Sequence, residues 1–261
     1  MGKNTVLALT IFSIFAFQMP VKAESTLDWR VDGLIQGQYN SNIAQIKSST
    51  NLNDFINSYV GIGTLRYTAP TNTQVIARLQ GSFNKYLRLS DNDLFVFNPS
   101  ILVYQWFLNS INVYAGGQPI FTSSAKTGRS ALDWDFLGGL TYYYPFGKSM
   151  AFAGYQIDRL QAQTTEYSSL NHTFLTGFRQ EFNDNLIGNV GLRVKLRDVS
   201  GFADDQRYMS NLSLQYVLNQ YLTLQASGDY TYIASKDSNR NLGVFGFGLN
   251  IIGGYTNKIS F

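Results

Sequence analysis

Arg193, Lys195 and Arg197 stand at alternate positions, and Arg179 and Glu181 do the same a few residues earlier. Spacing by two puts side chains on one face of an extended strand. The same parity in other extended stretches adds Arg78, Gln80, Gln215, Gln225 and Asp229, with Asp133 and Asp135 beside them. A wall of cations in a narrow wet passage concentrates anions and sets selectivity. The same groups could instead pair with one another and hold the space closed, as Arg179 and Glu181 could. Both readings stand at the level of the sequence.

Other chemistry is thinly supplied. Glu166, Ser168, Ser169 and His172 lie close together, and a nucleophile–base pair needs hydrogen-bond contact. Ser169 and His172 have opposite parity, so a continuous strand sets them on opposite faces unless the chain bends. A rim enzyme acting on lipid is therefore the weakest of three functional readings, and no catalytic residues are assigned. The chain has one His and no Cys, which excludes thiolate catalysis, disulfides and a His-rich metal site. Asp204 and Asp205 offer two carboxylates, too few for calcium. Gly61-x-Gly63 and Gly246-x-Gly248 lack the strand–helix setting of a dinucleotide loop. No cofactor or metal is expected.

Composition says what kind of element must hold these residues. The 261 residues are 44% hydrophobic and 15% aromatic, yet only 14% charged, against roughly 25% charged in ordinary soluble domains. Such a surface suits lipid better than water. Two of the three net positive charges are Lys3 and Lys22. The remainder is close to neutral and leaves no footprint for nucleic acid. Residues 1–23 read as a secretory signal peptide. Lys3 is followed by the apolar run Val6–Phe17, then Pro20 and Val21-Lys22-Ala23. The run is too short to span a bilayer, which takes about 20 residues. Residues 24–261 form the second unit, a single domain.

In that domain apolar and polar residues alternate, segment after segment. Leu186, Gly188, Val190, Leu192, Val194 and Leu196 interleave with the three cations above; Leu222, Leu224 and Ala226 interleave with Thr223, Gln225 and Ser227. Twelve segments are expected near 29–42, 55–67, 74–86, 94–107, 111–121, 131–145, 150–161, 171–182, 186–197, 208–218, 221–233 and 241–255. Their connections alternate between short turns and longer polar loops. Backbone groups in hydrocarbon must all be paired within the protein, so the sheet must close on itself. The expected fold is all-β: a closed antiparallel transmembrane β-barrel of about 12 strands, with ten or fourteen also compatible. Pro99 and Pro119 fall inside two of the segments and should each mark a bulge or a strand end. Aromatics beside the turns, including Tyr142-Tyr143-Tyr144, Tyr67, Tyr216, Tyr221, Tyr39 and Tyr230, are read as two interfacial girdles.

The last segment ends in Phe261, and stepping back by twos gives Ile259, Asn257, Tyr255, Gly253, Ile251 and Leu249. This resembles the C-terminal signal of Gram-negative-type outer-membrane β-barrel proteins, with Asn257 departing from the pattern. The resemblance is to the general class. It implies delivery to the barrel-assembly machinery, with Phe261, Ile259 and Tyr255 as the signal. It also implies an outer-membrane site, with the bilayer and lipopolysaccharide as surroundings. An even strand count puts both termini on the short-turn, periplasmic side. Three functions follow as expectations. The first is a narrow porin-like channel for small hydrophilic solutes, anionic ones such as acidic oligosaccharides among them. The second is a structural or export-accessory barrel working with periplasmic or surface-polysaccharide partners. The third is the rim lipid hydrolase.

Overall fold

In a computed structural model the described residues are 25–40, 54–88, 91, 93–124, 130–201, 204–235 and 242–260, with backbone alone at 40 and 256–260. Residues 1–23, where a signal peptide is expected, and Phe261 lie outside them, and of Ile259 only the backbone is described. Twelve strands form: β1 Thr26–Asn40, β2 Asp54–Thr68, β3 Thr73–Tyr86, β4 Leu94–Phe107, β5 Ile111–Ser124, β6 Ser130–Phe146, β7 Ser149–Gln161, β8 Ser169–Glu181, β9 Leu186–Val199, β10 Asp205–Asn219, β11 Leu222–Ser235 and β12 Leu242–Ser260. Each pairs antiparallel with its sequence neighbours, and β12 pairs with β1 to close the barrel. No described helix is long and apolar enough to cross a membrane.

Burial sorts the two faces by parity. In β2, Asp54, Ile56, Ser58, Val60, Ile62 and Thr64 are buried, while Phe55, Tyr59, Leu65 and Tyr67 are exposed. The buried parity faces the barrel interior. The outer face carries large apolar side chains on every strand, for example Ile35, Leu79, Ile101, Phe136, Phe174, Leu192, Leu212 and Leu249. A continuous apolar exterior far exceeds the few hundred Å² that soluble monomers expose, so its solvent is lipid. The inner face carries the polar and charged groups together with apolar ones, among them Ile56, Ile76, Trp106, Ile233, Val244 and a patch where Leu34, Val60 and Ile62 meet Ile252.

Size follows from the registers. Stepping once round the paired strands returns to β1 displaced by about 18 residues. With a rise of about 3.3 Å per residue and strands about 4.8 Å apart, the strands tilt by roughly 45° and the Cα cylinder is roughly 13 Å in radius. Strands of 13 to 19 residues at that tilt cover roughly the 30 Å of a hydrocarbon core. One end of the barrel carries the short turns, such as 69–72, 108–110 and 147–148, together with the ends Thr26 and Ser260; the other end carries the longer connections.

The two prolines depart from the expectation. Pro99 and Pro119 produce neither a bulge nor a strand end. β4 and β5 keep one register across them, but the pairs between Phe97↔Phe121 and Ile101↔Gly117 are missing. The side chains of Asn98 and Gln118 bridge this gap at 3.2 Å, and Gln118 goes on to Asp135 at 3.0 Å. Proline's missing N–H is thus tolerated because polar inward groups close the opening. The register irregularity in the sheet lies elsewhere, between Val217 and Asn219 of β10.

Candidate functional site: the barrel lumen

Arg78 and Gln80 on β3, Arg179 and Glu181 on β8, Arg193, Lys195 and Arg197 on β9, Gln215 on β10, and Gln225 and Asp229 on β11 all share the inward parity, as do Asp133 and Asp135 on β6. They do not form one cluster. Arg179 and Glu181 pair with each other at 3.0 Å near the short-turn end of β8. The cations of β9 rise instead towards the long-loop rim, where β10 adds Arg207 directly opposite Lys195.

This rim cluster is partly neutralised. Asp205 accepts from Arg197 at 2.9 Å and from Arg207 at 3.0 Å. Lys195 reaches over β8 to Asp158 of β7 at 3.5 Å, and Asp158 also accepts from Asn171 at 2.5 Å. On the wall formed by β7 to β10, Lys195, Arg197 and Arg207 share two carboxylates, Asp158 and Asp205, with Arg193 on the same face, and positive charge predominates on this wall. Asp205, one of the two loop carboxylates, is occupied as a counter-ion.

A second charged wall stands across the lumen on β1 to β3. Arg66 meets Asp28 at 3.0 Å, Arg30 meets Asp32 at 2.7 Å, and Arg78 lies on the same wall. Apart from Arg78, the sequence reading did not pick these out. Asp28, Arg30 and Asp32 alternate as the cations of β9 do; an expected first strand of 29–42 holds Arg30 and Asp32 but leaves Asp28 outside.

Between the two charged walls lies an aromatic one. Tyr104 and Trp106 of β4, Tyr114 of β5, Tyr143 of β6 and Phe152 of β7 all have the inward parity and cluster in the short-turn half. Ring centroids are 5.6 Å apart for Tyr104 and Tyr114, 5.4 Å for Trp106 and Tyr143, and 6.2 Å for Tyr143 and Phe152. Tyr143 was expected in an outer girdle. Only its neighbours Tyr142 and Tyr144 face outward, at 46% and 58% exposure.

The rim-enzyme geometry does not assemble. Ser169 is inward and buried, and donates no bond to His172 among the described contacts. His172 faces outward, with Nδ1 2.6 Å from the Tyr155 hydroxyl. Ser168 accepts from the Ala162 amide at 3.1 Å.

A closed antiparallel barrel with an apolar exterior and a charged interior decides the class. This chain has the fold of an outer-membrane β-barrel. A family profile described as "Putative beta-barrel porin 2" matches residues 149–251, which run from the start of β7 into β12. Among solved structures, the chain is similar to an outer membrane channel from Pseudomonas putida F1. Identity is 9%, the match covers 92% of this chain and 99% of that one, and the TM-score is 0.55. It is also similar to OmpT, an outer membrane protein of Vibrio cholerae, at 10% identity over 92% and 100% of the two chains, with a TM-score of 0.45. The translocator domain of the autotransporter NalP from Neisseria meningitidis matches at 11% identity over 87% and 88%, with a TM-score of 0.43. No curated protein matches the sequence.

Proposed function

We propose that this chain is a narrow outer-membrane channel for small hydrophilic solutes, with a preference for anions. The carrying observation is the excess of cations on the β7–β10 wall, where Arg193, Lys195, Arg197 and Arg207 rise to the long-loop rim beside two carboxylates, Asp158 and Asp205. A positive wall at the mouth, flanked by the inward carboxylates Asp133, Asp135 and Asp229, raises the local concentration of anions beside it. Twelve strands give a bore well below that of the 16- to 18-stranded porins, so solute size is limited as well. In this reading residues 1–23 are removed on export, and the barrel-assembly machinery reads the C-terminal segment that includes Tyr255. The short turns and both termini then face the periplasm, and the long-loop rim meets lipopolysaccharide.

The selectivity of the purified protein in planar bilayers tests this. Under a salt gradient the wild-type reversal potential should have the sign of an anion-preferring channel. Replacing Arg193 and Lys195 together with Gln should move it towards cation preference. An unchanged reversal potential would remove those residues from the conduction path.

A further inference from the structure

We propose that the lumen holds a binding site for the pyranose rings of an oligosaccharide, built on the inward aromatic wall of β4 to β7. The proposal rests on the lumen being a solvated passage, and it names the solute class that the passage accommodates.

The wall is laid flat by two glycines. Tyr114 projects from β5 across β6 above Gly139, where an added Cβ would come within 2.8 Å of the ring and its hydroxyl. That hydroxyl continues to Gln156 of β7 at 3.1 Å. Phe152 lies in the same way over Gly177 of β8, whose added Cβ would overlap the ring edge. Rings that lean along the wall narrow the bore less than rings that jut across it. A ring jutting across the lumen would only obstruct it. Trp106 forms the buried base of this surface, and Tyr104, Tyr114, Tyr143 and Phe152 are its half-buried members.

In a twelve-stranded barrel, β4 to β7 stand opposite β10 to β1. At corresponding heights the facing wall offers amides and hydroxyls, with the apolar Leu34 and Ile252 and the Arg30–Asp32 pair of β1 beside them. Gln225 accepts from Asn250 at 3.2 Å, and Asn189 of neighbouring β9 donates to Ser213 at 3.4 Å. A passage with aromatic faces on one side and hydroxyls and amides on the other matches a sugar ring, whose C–H faces are apolar and whose rim is hydroxylated. An aromatic hydrocarbon would leave the polar wall without exchangeable partners, and a simple inorganic anion would gain nothing from the aromatic one. The cations of the β9–β10 rim stand between the long-loop mouth and this wall, so uronic or otherwise acidic sugars should be drawn in more strongly than neutral ones.

The test uses the full-length protein in detergent micelles and in planar bilayers, with maltohexaose as neutral probe and a galacturonic acid hexamer as acidic probe. Binding in micelles by calorimetry does not depend on conduction, whereas blockage of the channel current does. Both probes should bind saturably, the acidic one more tightly. Tyr114→Ala and Tyr143→Ala should each weaken both probes by about five- to tenfold, while Tyr114→Phe, which keeps the ring face, stays within about twofold. Arg193→Gln should weaken the acidic probe alone. Gel mobility before and after heating identifies folded variants, and Tyr104→Leu replaces any alanine variant that fails. Absence of sugar binding, or binding indifferent to loss of the rings, would overturn the proposal even in a conducting channel. Micelle binding with a silent bilayer would uphold the site and overturn the channel reading instead.

Discussion

At the residue scale, three adjacent tyrosines divide their work by parity alone. Tyr142 and Tyr144 face lipid and Tyr143 faces the lumen, because successive side chains on a strand point to opposite sides. That division was available from the alternation: Tyr104, Trp106 and Tyr114 share parity with the polar residues Asn98, Asn112 and Gln118 of the same strands. The expectation of aromatic girdles masked it, since Tyr at a strand end is ordinarily interfacial. Single glycines then decide where rings can lie. A Cβ at Gly177 would meet the Phe152 ring and the Val190 carbonyl oxygen, whereas one at Gly61, on the lipid face, meets nothing within 4 Å. Gly177→Val should therefore destabilise the barrel by roughly 1–3 kcal/mol, while Gly61→Val is close to neutral. Urea unfolding in phospholipid vesicles checks the pair. Turn residues give a gain in the other direction. Leu108 and Asn109 both have left-handed backbone, with φ of 51° and 57°, and Leu108 is 88% exposed. A leucine is poorly suited to that conformation and asparagine tolerates it. Leu108→Asn should raise stability by about 0.5–1 kcal/mol, read in the same unfolding experiment.

At the element scale, twelve strands fall within a few residues of the segments that alternation marks out, because lipid outside and polar groups inside impose one period on every strand. What alternation could not supply was the registers. They depend on pairings between neighbouring strands, and they bring Lys195 to Asp158 across β8 and set Arg207 opposite Lys195. Nor could it foresee the tolerance of Pro99 and Pro119, which comes from the Asn98–Gln118–Asp135 bridge on the inner face. The two faces of a strand should differ sharply in what they accept. Leu212 of β10 is outward, 64% exposed, and near the middle of its strand. Leu212→Arg should cost roughly 2–4 kcal/mol in a bilayer, as for cations on the lipid face near the midplane. Gln215→Arg, inward on the same strand, should cost much less. Equal losses for the two variants in vesicle unfolding titrations would contradict the assignment of faces.

At the scale of the whole molecule, closure of β12 onto β1 leaves no open sheet edge, and the stagger of about 18 residues fixes how wide the cylinder is. Within it, function is a matter of distribution. Cations gather at the long-loop rim of β9 and β10, aromatic rings line the short-turn half of β4 to β7, and the β1–β3 wall carries the pairs Arg66–Asp28 and Arg30–Asp32. In the proposed reading, a solute entering at the long-loop mouth meets charge first and aromatic surface next, while its own concentration gradient sets the direction of travel. The measurement that bears on this most directly is single-channel recording of the purified full-length chain in planar bilayers across a range of potassium chloride concentrations. The account predicts stable, discrete conductance steps that grow with salt and an anion-preferring reversal potential under a gradient. A folded, membrane-inserted protein that passes no current at any salt concentration would contradict it.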